Sequence, residues 1–184
     1  MITSKKELRQ YLYRDLKQFN YKKPSLKNYI LRNEKWFIYR LKRELRYVEY
    51  YKNVKPFGGG ILYLYHFLLY KHLCWKTKCI INPNTTGAGL TIWHLGSFTY
   101  IRKGSKVGDD FTIVCGTVLG KKTGKSEEHI EIGNNCYCGL NVSIIGNVRI
   151  GNNVTIGAHA VVTKNIPDNS VIGGVPAKII KFKE

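Results

Sequence analysis

Residues 132–166 read IGNNCYCGLNVSIIGNVRIGNNVTIGAHAVVTKNI, and an aliphatic or small apolar side chain returns every six positions. The first set of these positions is Ile132, Cys138, Ile144, Ile150, Ile156 and Val162. The second set lies four residues after each of them and consists of Cys136, Val142, Val148, Val154, Ala160 and Ile166. A period of six matches neither an α-helix nor a simple alternating strand. It is typical of a parallel β-helix built from hexapeptides.

The same period continues upstream and is interrupted once. It holds at four earlier positions, Ile101, Val107, Ile113 and Leu119. The step from Leu119 to Ile132 is thirteen residues, so an insertion lies there, and the polar stretch Lys121–Glu128 predicts an excursion loop at about residues 120–129. A run of short antiparallel strands would not keep one arithmetic period. We therefore expect three hexapeptides per coil, with coils stacked about 4.8 Å apart.

On these residues the chain resembles the hexapeptide-repeat acyltransferases, whose fold is a left-handed parallel β-helix. The stretch Ile150–Lys178 is similar to the C-terminal signature of that family. Within the family, Gly89–Gly120 resembles the serine acetyltransferase branch and the related capsule and colanic-acid polysaccharide O-acetyltransferases. The resemblance covers about residues 80–180. It implies a mainly β fold over residues 80–184, a homotrimer, and acetyl-CoA as co-substrate.

The N-terminal part of the chain has a different composition. Of the 184 residues, 30 are Lys or Arg and 12 are Asp or Glu, a net charge of +18. Residues 1–80 contain 19 Lys or Arg residues and 5 Asp or Glu residues, a net charge of +14. They also contain 11 of the 13 tyrosines. Ser4 and Glu7 have the spacing of a helix capping box, and apolar residues follow at helical spacing. We therefore expect a basic α-helical region over residues 1–79 ahead of the β-helix.

The basic charge alone fits nucleic acid, an anionic membrane surface or a phosphorylated ligand. No nucleic-acid-binding motif accompanies it, so we expect no nucleic-acid partner. Two interpretations stay open for the helices: peripheral contact with an anionic membrane surface, or packing within the trimer with a solvated basic exterior. The longest apolar run, Ile61–Tyr70, is much shorter than the ~20 residues of a membrane-spanning helix.

The N-terminus and the cysteines predict a cellular location. Met1–Asn20 is charged and lacks the apolar segment of a secretory signal, and the chain has five cysteines, an odd number. We therefore expect free thiols and a cytoplasmic protein. In the membrane interpretation the protein lies at the inner face of the cell membrane.

Two histidines are the candidate catalytic residues. Acetyl transfer from a thioester to a hydroxyl needs a base for the hydroxyl proton, and histidine titrates near neutral pH. The resemblance matches His94, in LTIWH, to the catalytic histidine of the family and His129, in EHIEI, to its second active-site histidine. It implies that His94 is the general base and that His129 binds or orients the acceptor in a cleft between subunits. The alternative, a structural or solvated histidine, is our interpretation of His66, His72 and His159.

The same resemblance assigns the acetyl-CoA contacts. They are Gly139 and Leu140 along the pantetheine arm, Ala158 near the thiol, Thr163 and Lys164 at the nucleotide end, and Lys178 near the phosphates. Cations suit the phosphates because CoA is anionic. The alternative is turn geometry for each small residue and solvated surface for each lysine. A zinc site on three histidines is a competing interpretation, but we expect no metal, since Cys136 and Cys138 occupy inward positions typical of buried thiols.

Trp93 marks a departure from the serine acetyltransferases, which carry an aspartate immediately before the catalytic histidine. An indole cannot pair with the serine ammonium by charge, whereas it suits stacking against the apolar face of a sugar ring. The sequence therefore favours an O-acetyltransferase with a sugar acceptor, small or lipid-linked, in surface-polysaccharide biosynthesis. The alternative is a serine O-acetyltransferase of cysteine biosynthesis. A second alternative is a non-catalytic β-helix scaffold at the membrane surface.

Overall fold

The computed structural model describes residues 1–122 and 129–184, and in it a helical region is followed by a coil of short strands. The helices are α1 (Lys5–Arg14), α2 (Leu26–Ile30), α3 (Glu34–Val54) and α4 (Gly59–Thr77), with a 3₁₀ turn at Lys17–Phe19. The strands are β1 (Cys79–Ile81), β2 (Thr91–Trp93), β3 (Thr99–Ile101), β4 (Lys106–Val107), β5 (Thr112–Val114), β6 (Val118–Gly120), β7 (Ile130–Ile132), β8 (Tyr137–Cys138), β9 (Ser143–Ile145), β10 (Val148–Ile150), β11 (Thr155–Ile156), β12 (Val161–Val162), β13 (Ser170–Gly173) and β14 (Lys178–Phe182). Most of the predicted excursion at about 120–129 lies outside the described residues.

The strands form three sheets, which are the faces of the coil. Face A has the order β1-β3-β6-β9-β12, face B β10-β7-β4, and face C β14-β13-β11-β8-β5-β2. Neighbours on one face are parallel and one coil apart, so Ile101 lies opposite Leu119 and Leu119 opposite Ile144. Only the pairing of β13 with β14 is antiparallel among the described strands. The predicted parallel hexapeptide coil is therefore confirmed.

The six-residue period places apolar side chains inside this coil. All sixteen positions of the period are buried, with exposed fractions of 0–7%. Each position stacks on its equivalent one coil away, and burying a Val or Ile side chain contributes about 1.5–3 kcal/mol. The inner column is therefore the main source of stability of the coil. Cys136 and Cys138 belong to it, and burial raises the pKa of both thiols.

Asparagines make the turns between face B and face C. Asn135, Asn153 and Asn169 all have positive φ, between 55° and 58°, a region that asparagine tolerates better than most residues. Their side chains form a ladder along the coil axis: Asn135 Nδ2 donates to Asn153 Oδ1 (3.2 Å), and Asn153 Nδ2 donates to Asn169 Oδ1 (2.8 Å). The ladder satisfies the amides at an exposed corner and keeps successive coils in register.

The helical region begins as the sequence predicts, with one difference. The Ser4 side chain accepts the backbone N–H of Glu7 at 3.1 Å, which caps α1. The difference is that the Glu7 carboxylate accepts mainly from the N–H and hydroxyl of Thr3, and the N–H of Ser4 is a weaker partner. The last helix ends at Thr77 and the first strand begins at Cys79. Among the described residues, no helix has the length and apolar character needed to cross a bilayer.

Arg46 of α3 docks the helices on the first coil. Its side chain is fully buried, and it donates to the carboxylates of Asp15 (2.8 Å) and Glu49 (3.0 Å). It also donates to the backbone carbonyls of Thr86 (3.0 Å) and Gly87 (2.6 Å) in that coil. Although burial opposes its charge, the two carboxylates keep the pKa of Arg46 above its ordinary range. The buried charge of Arg46 is therefore balanced by two carboxylates and two backbone carbonyls.

Lys42, one turn before Arg46, makes a second polar contact between the helices and the coil. Its ammonium donates to the backbone carbonyls of Asp15 (2.6 Å) and Leu90 (2.8 Å) and to Oε1 of Gln18 (3.1 Å). Burial lowers the pKa of Lys42 to about 8, and Asp15 opposes that shift. Two of the N-terminal cations thus lie inside the molecule, so a solvated exterior does not account for all of the basic charge.

Candidate functional site

The nine predicted site residues fall mainly at two corners of the coil. We call the turns that lead from face C to face A the C–A corner, and those that lead from face A to face B the A–B corner. The C–A corner carries His94, Gly139, Leu140 and Ala158, with Trp93 at the end of the adjoining strand. The A–B corner carries His129, Thr163 and Lys164. Face A lies between the two corners, so one chain does not bring the two groups together.

His94 follows β2 and stands out from the C–A corner. Its side chain is 68% exposed, and its φ of 63° turns the chain sharply after the strand. Trp93, the last residue of β2, is 47% exposed beside it. The backbone carbonyl of Trp93 accepts from Cys115 in the next coil at 3.0 Å, which holds the end of this strand in place. An exposed imidazole next to an exposed indole is therefore fixed on the rigid coil.

Glu34, which the sequence analysis did not identify, contacts His94. It is the first residue of α3, where Asn33 caps the helix by accepting from the N–H of Lys35 at 2.9 Å. One oxygen of the Glu34 carboxylate lies 3.5 Å from Nδ1 of His94, and the other accepts the backbone N–H of Leu95. A carboxylate on Nδ1 orients an imidazole and leaves Nε2 to exchange a proton. The Glu34 carboxylate thus lies on the Nδ1 side of the His94 imidazole.

Gln18, which follows α1, fixes the strand that carries His94. Its Oε1 accepts the N–H of Ile92 at 3.1 Å, and its Nε2 donates to the carbonyl of the same residue. The side-chain amide therefore pairs with both backbone groups of Ile92, two residues before His94. Lys42 in turn donates to Oε1 of Gln18. The helical region thus supports the candidate base from two directions, through Gln18 and through Glu34.

His129 is exposed at the A–B corner, directly before β7. Its N–H donates to Oδ1 of Asn147 (3.3 Å), and its carbonyl accepts from Val148 (3.0 Å), both in the next coil. It lines a cavity of about 480 Å³ together with Gly104, Lys106, Glu131, Asn147, Val148, Arg149 and Asn165. His129 therefore faces a polar depression, separate from the corner that holds His94.

Gly139 has a structural reason to be glycine. A Cβ at this position would come within 2.7 Å of the backbone nitrogen of Ala158 in the next coil, closer than real side chains approach. Leu140 and Ala158 are exposed on the same corner. Stacking of the coils thus accounts for Gly139, and the corner offers a column of small and apolar groups below His94.

Positive charge collects at the A–B corner and on the last strand. Thr163 and Lys164 are exposed after β12, and Lys103 is exposed at the same corner three coils earlier. Lys178 begins β14 and is exposed, opposite Gly173 of β13. These cations can pair with an anionic ligand. A second cavity, of about 770 Å³, lies between the helices and face B, and none of the nine predicted residues lines it.

The other three histidines and the five cysteines form no metal site among the described residues. His66 is buried, and its Nδ1 lies 2.6 Å from a carboxylate oxygen of Glu44. His72 and His159 are exposed. The five cysteines are free thiols. Within residues 1–122 and 129–184, no three His, Cys, Asp or Glu side chains come together to hold a metal ion.

Comparison with known proteins identifies the repeat. Residues 129–164 match the model of the bacterial transferase hexapeptide, in six repeats. This chain carries the bacterial transferase hexapeptide repeat. The matched residues form the C-terminal part of the observed coil, whose strands begin at Cys79.

Curated relatives are similar to part of this chain over part of their own length. A serine acetyltransferase from Staphylococcus aureus strain N315 is 39% identical over 77 residues, which cover 41% of this chain and 36% of the relative. Serine acetyltransferase 4 of Arabidopsis thaliana is 35% identical over 99 residues, which cover 52% of this chain and 27% of the relative. The matched part thus spans about a third of the length of these relatives.

The likeness of fold extends over nearly the whole chain. A serine acetyltransferase from Brucella abortus strain S19, solved in complex with coenzyme A, superimposes with a TM-score of 0.75. The superposition covers 98% of this chain and 70% of that chain, at 22% sequence identity. The helices that precede the hexapeptide repeat are therefore part of the shared architecture.

Proposed function

We propose that this protein is an acetyl-CoA-dependent O-acetyltransferase with His94 as the general base. The observation that carries the proposal is the pair formed by an exposed His94 and the Glu34 carboxylate, on a hexapeptide-repeat coil. Relatives that match this coil are named serine acetyltransferases, which supports the same reaction class.

The proposed chemistry needs one proton carrier. Acetyl-CoA supplies the acetyl group as a thioester when bound. His94 takes the proton of the acceptor hydroxyl as that oxygen bonds to the carbonyl carbon. The carbon–sulfur bond breaks, and His94 returns the proton to the departing thiolate, so the reaction balances. Glu34 acts as a positioning residue that keeps the imidazole in a productive orientation.

The residues at the two corners fit an acetyl-CoA molecule. The thioester end of acetyl-CoA needs a narrow apolar surface that leads to His94. Leu140 and Ala158 form an exposed surface of this kind on the C–A corner. The anionic end needs cations, and Lys164 on the A–B corner and Lys178 on β14 are exposed. A relative of similar fold was solved in complex with coenzyme A, which agrees with this assignment.

The two groups of residues favour a site shared between subunits. His94 and His129 lie at opposite ends of face A, on the first and third coils. A three-residue strand alone covers about 10 Å, so the two histidines cannot act on one acceptor within a single chain. We therefore propose a homotrimer in which the C–A corner of one subunit faces the A–B corner of the next.

The named relatives favour L-serine as the acceptor over a sugar. The comparisons thus support the alternative from the sequence analysis better than its main interpretation. The exposed indole of Trp93 is the specific observation that favours a sugar hydroxyl, which remains the second candidate.

A thiol-release assay tests the function and the acceptor together. With acetyl-CoA and L-serine we expect steady release of free CoA, and little release with a panel of nucleotide sugars. Release with a sugar and not with serine would reverse the order of the two acceptors. If no acceptor releases CoA and calorimetry detects no acetyl-CoA binding, the protein is a scaffold rather than an enzyme.

The Glu34–His94 pair makes a separate prediction. Glu34→Gln should lower kcat about fivefold, since an exposed charged pair contributes up to about 1 kcal/mol. The KM for acetyl-CoA should stay the same, because Glu34 touches the base and not the donor. Steady-state kinetics measure kcat and KM separately, with Glu184→Gln, an exposed carboxylate outside both corners, as the control. An unchanged kcat in Glu34→Gln would remove Glu34 from the site.

A further inference from the structure

Helix α4 exposes a continuous apolar stripe. Each of its members lies three or four residues from another member, so they share one side of the helix. They are Ile61, Leu64, Tyr65, Leu68, His72 and Trp75. The five apolar members are each more than half exposed, and Trp75 reaches 87%. From Ile61 to Trp75 the stripe is about 21 Å long, at 1.5 Å per residue.

The opposite side of α4 packs against the rest of the protein. His66, Tyr70, Leu73 and Cys74 are buried there, where α4 packs on α3. A helix that is apolar on all sides is normally covered on all sides. The stripe is much larger than the scattered single apolar residues of an ordinary surface, and such patches mark interaction sites.

The charges around the stripe are all of one sign. Residues 52–78 contain five lysines and no acidic residue. By helix geometry, Lys71 and Lys76 lie on the two flanks of the stripe, and Lys78 follows the C-terminal end of α4. The nearest glutamates on α3, Glu44 and Glu49, are buried and already engaged with His66 and Arg46. An apolar stripe flanked by lysines is complementary to an anionic surface with an apolar interior.

A two-fold contact with a second copy of the chain fits this surface poorly. It would gather the lysines of both copies in one interface, because such an interface is formed by the same patch on each copy. No exposed acidic residue of segment 52–78 would compensate them. Tyr65 and Trp75, each with an apolar ring and a polar edge, instead suit the headgroup region of a bilayer.

We propose that α4 binds the surface of an anionic lipid bilayer through this stripe. The helix lies parallel to the surface, with Leu64 and Leu68 toward the acyl chains. Lys71 and Lys78 lie at the level of the lipid phosphates. This inference is independent of the acetyl-transfer chemistry, because none of these residues belongs to the C–A or A–B corner.

Vesicle sedimentation with the full chain tests the proposal. The protein should bind vesicles of mixed phosphatidylcholine and phosphatidylglycerol, and bind vesicles of phosphatidylcholine alone much more weakly. The double variant Leu64→Asn with Leu68→Asn should lower the partition coefficient on anionic vesicles by about tenfold or more, from the apolar area lost. Lys71→Gln with Lys78→Gln should lower it by a similar factor, and added salt should then have less effect.

Matched controls come from the last strand. Ile180 and Lys181 are also exposed, and Ile180→Asn and Lys181→Gln should leave vesicle binding unchanged. Thermal unfolding should be the same for the wild type and for the α4 variants, since the substituted side chains are exposed. Equal binding to both kinds of vesicle, or unchanged binding by the Leu64→Asn/Leu68→Asn variant, would overturn the proposal. A smaller native mass of that variant in lipid-free light scattering would also overturn it, because the stripe would then be an interface between protein copies.

Discussion

His94→Ala is expected to lower kcat for acetyl transfer by about a hundredfold to ten-thousandfold, the usual contribution of a positioned general base. The imidazole is the exposed group that Glu34 orients at the C–A corner, and alanine can neither take nor return the proton. The backbone should tolerate the change, because the side chain is 68% exposed and outside the core. The KM for acetyl-CoA should change little.

His159→Ala is the matched control for this variant. His159 is an exposed histidine on the same C–A corner, three coils further along, and its φ of 60° is close to the 63° of His94. Both substitutions therefore place alanine in the same strained backbone region, and their effects on thermal unfolding should be alike. Initial-rate kinetics on the two variants separate chemistry from stability. Full activity in His94→Ala would refute its assignment as the base.

The coil could be predicted from the sequence because its rule is local. An inward position recurs every six residues, and every coil repeats the same steric demand for a small or aliphatic side chain. The insertion between Leu119 and Ile132 could be located for the same reason. Because Ile132 pairs with Val107 on face B, the step from Leu119 is one hexapeptide plus seven residues. Positions of corner residues such as His94 and His129 follow once the register of the repeat is known.

The support around His94 could not be predicted in this way. Glu34 and Leu95 are 61 residues apart and belong to different kinds of structure, so no periodic pattern connects them. The only sequence signal was the start of a helix, Asn33 followed by Glu34, which indicates a cap and not a site. Arg46 and Lys42 were counted among the basic residues of the N-terminal region. Their burial depends on carbonyls and carboxylates that only the docked helices bring together.

Arg46→Met is expected to lower the free energy of unfolding by about 3–5 kcal/mol, because removing one partner of a buried ionic network leaves the others uncompensated. Asp15 and Glu49 are 5% and 2% exposed, so neither carboxylate can recover its hydration. The carbonyls of Thr86 and Gly87 would also lose their donor. Urea unfolding followed by circular dichroism measures the effect.

Arg9→Met, on the exposed side of α1, is the control, and it should change the free energy of unfolding by less than about 0.5 kcal/mol. Arg46→Lys keeps the positive charge but lacks the planar guanidinium, so its free energy of unfolding should lie between those of Arg9→Met and Arg46→Met. This variant allows the test to be made if Arg46→Met does not fold. Stability equal to the wild type in both Arg46 variants would contradict the docking role. Gln18 and Glu34 reach the C–A corner only when the helices are docked, so the kcat of Arg46→Lys should fall at the urea concentration at which its helices undock. Full kcat in undocked protein would show that the helices do not support His94.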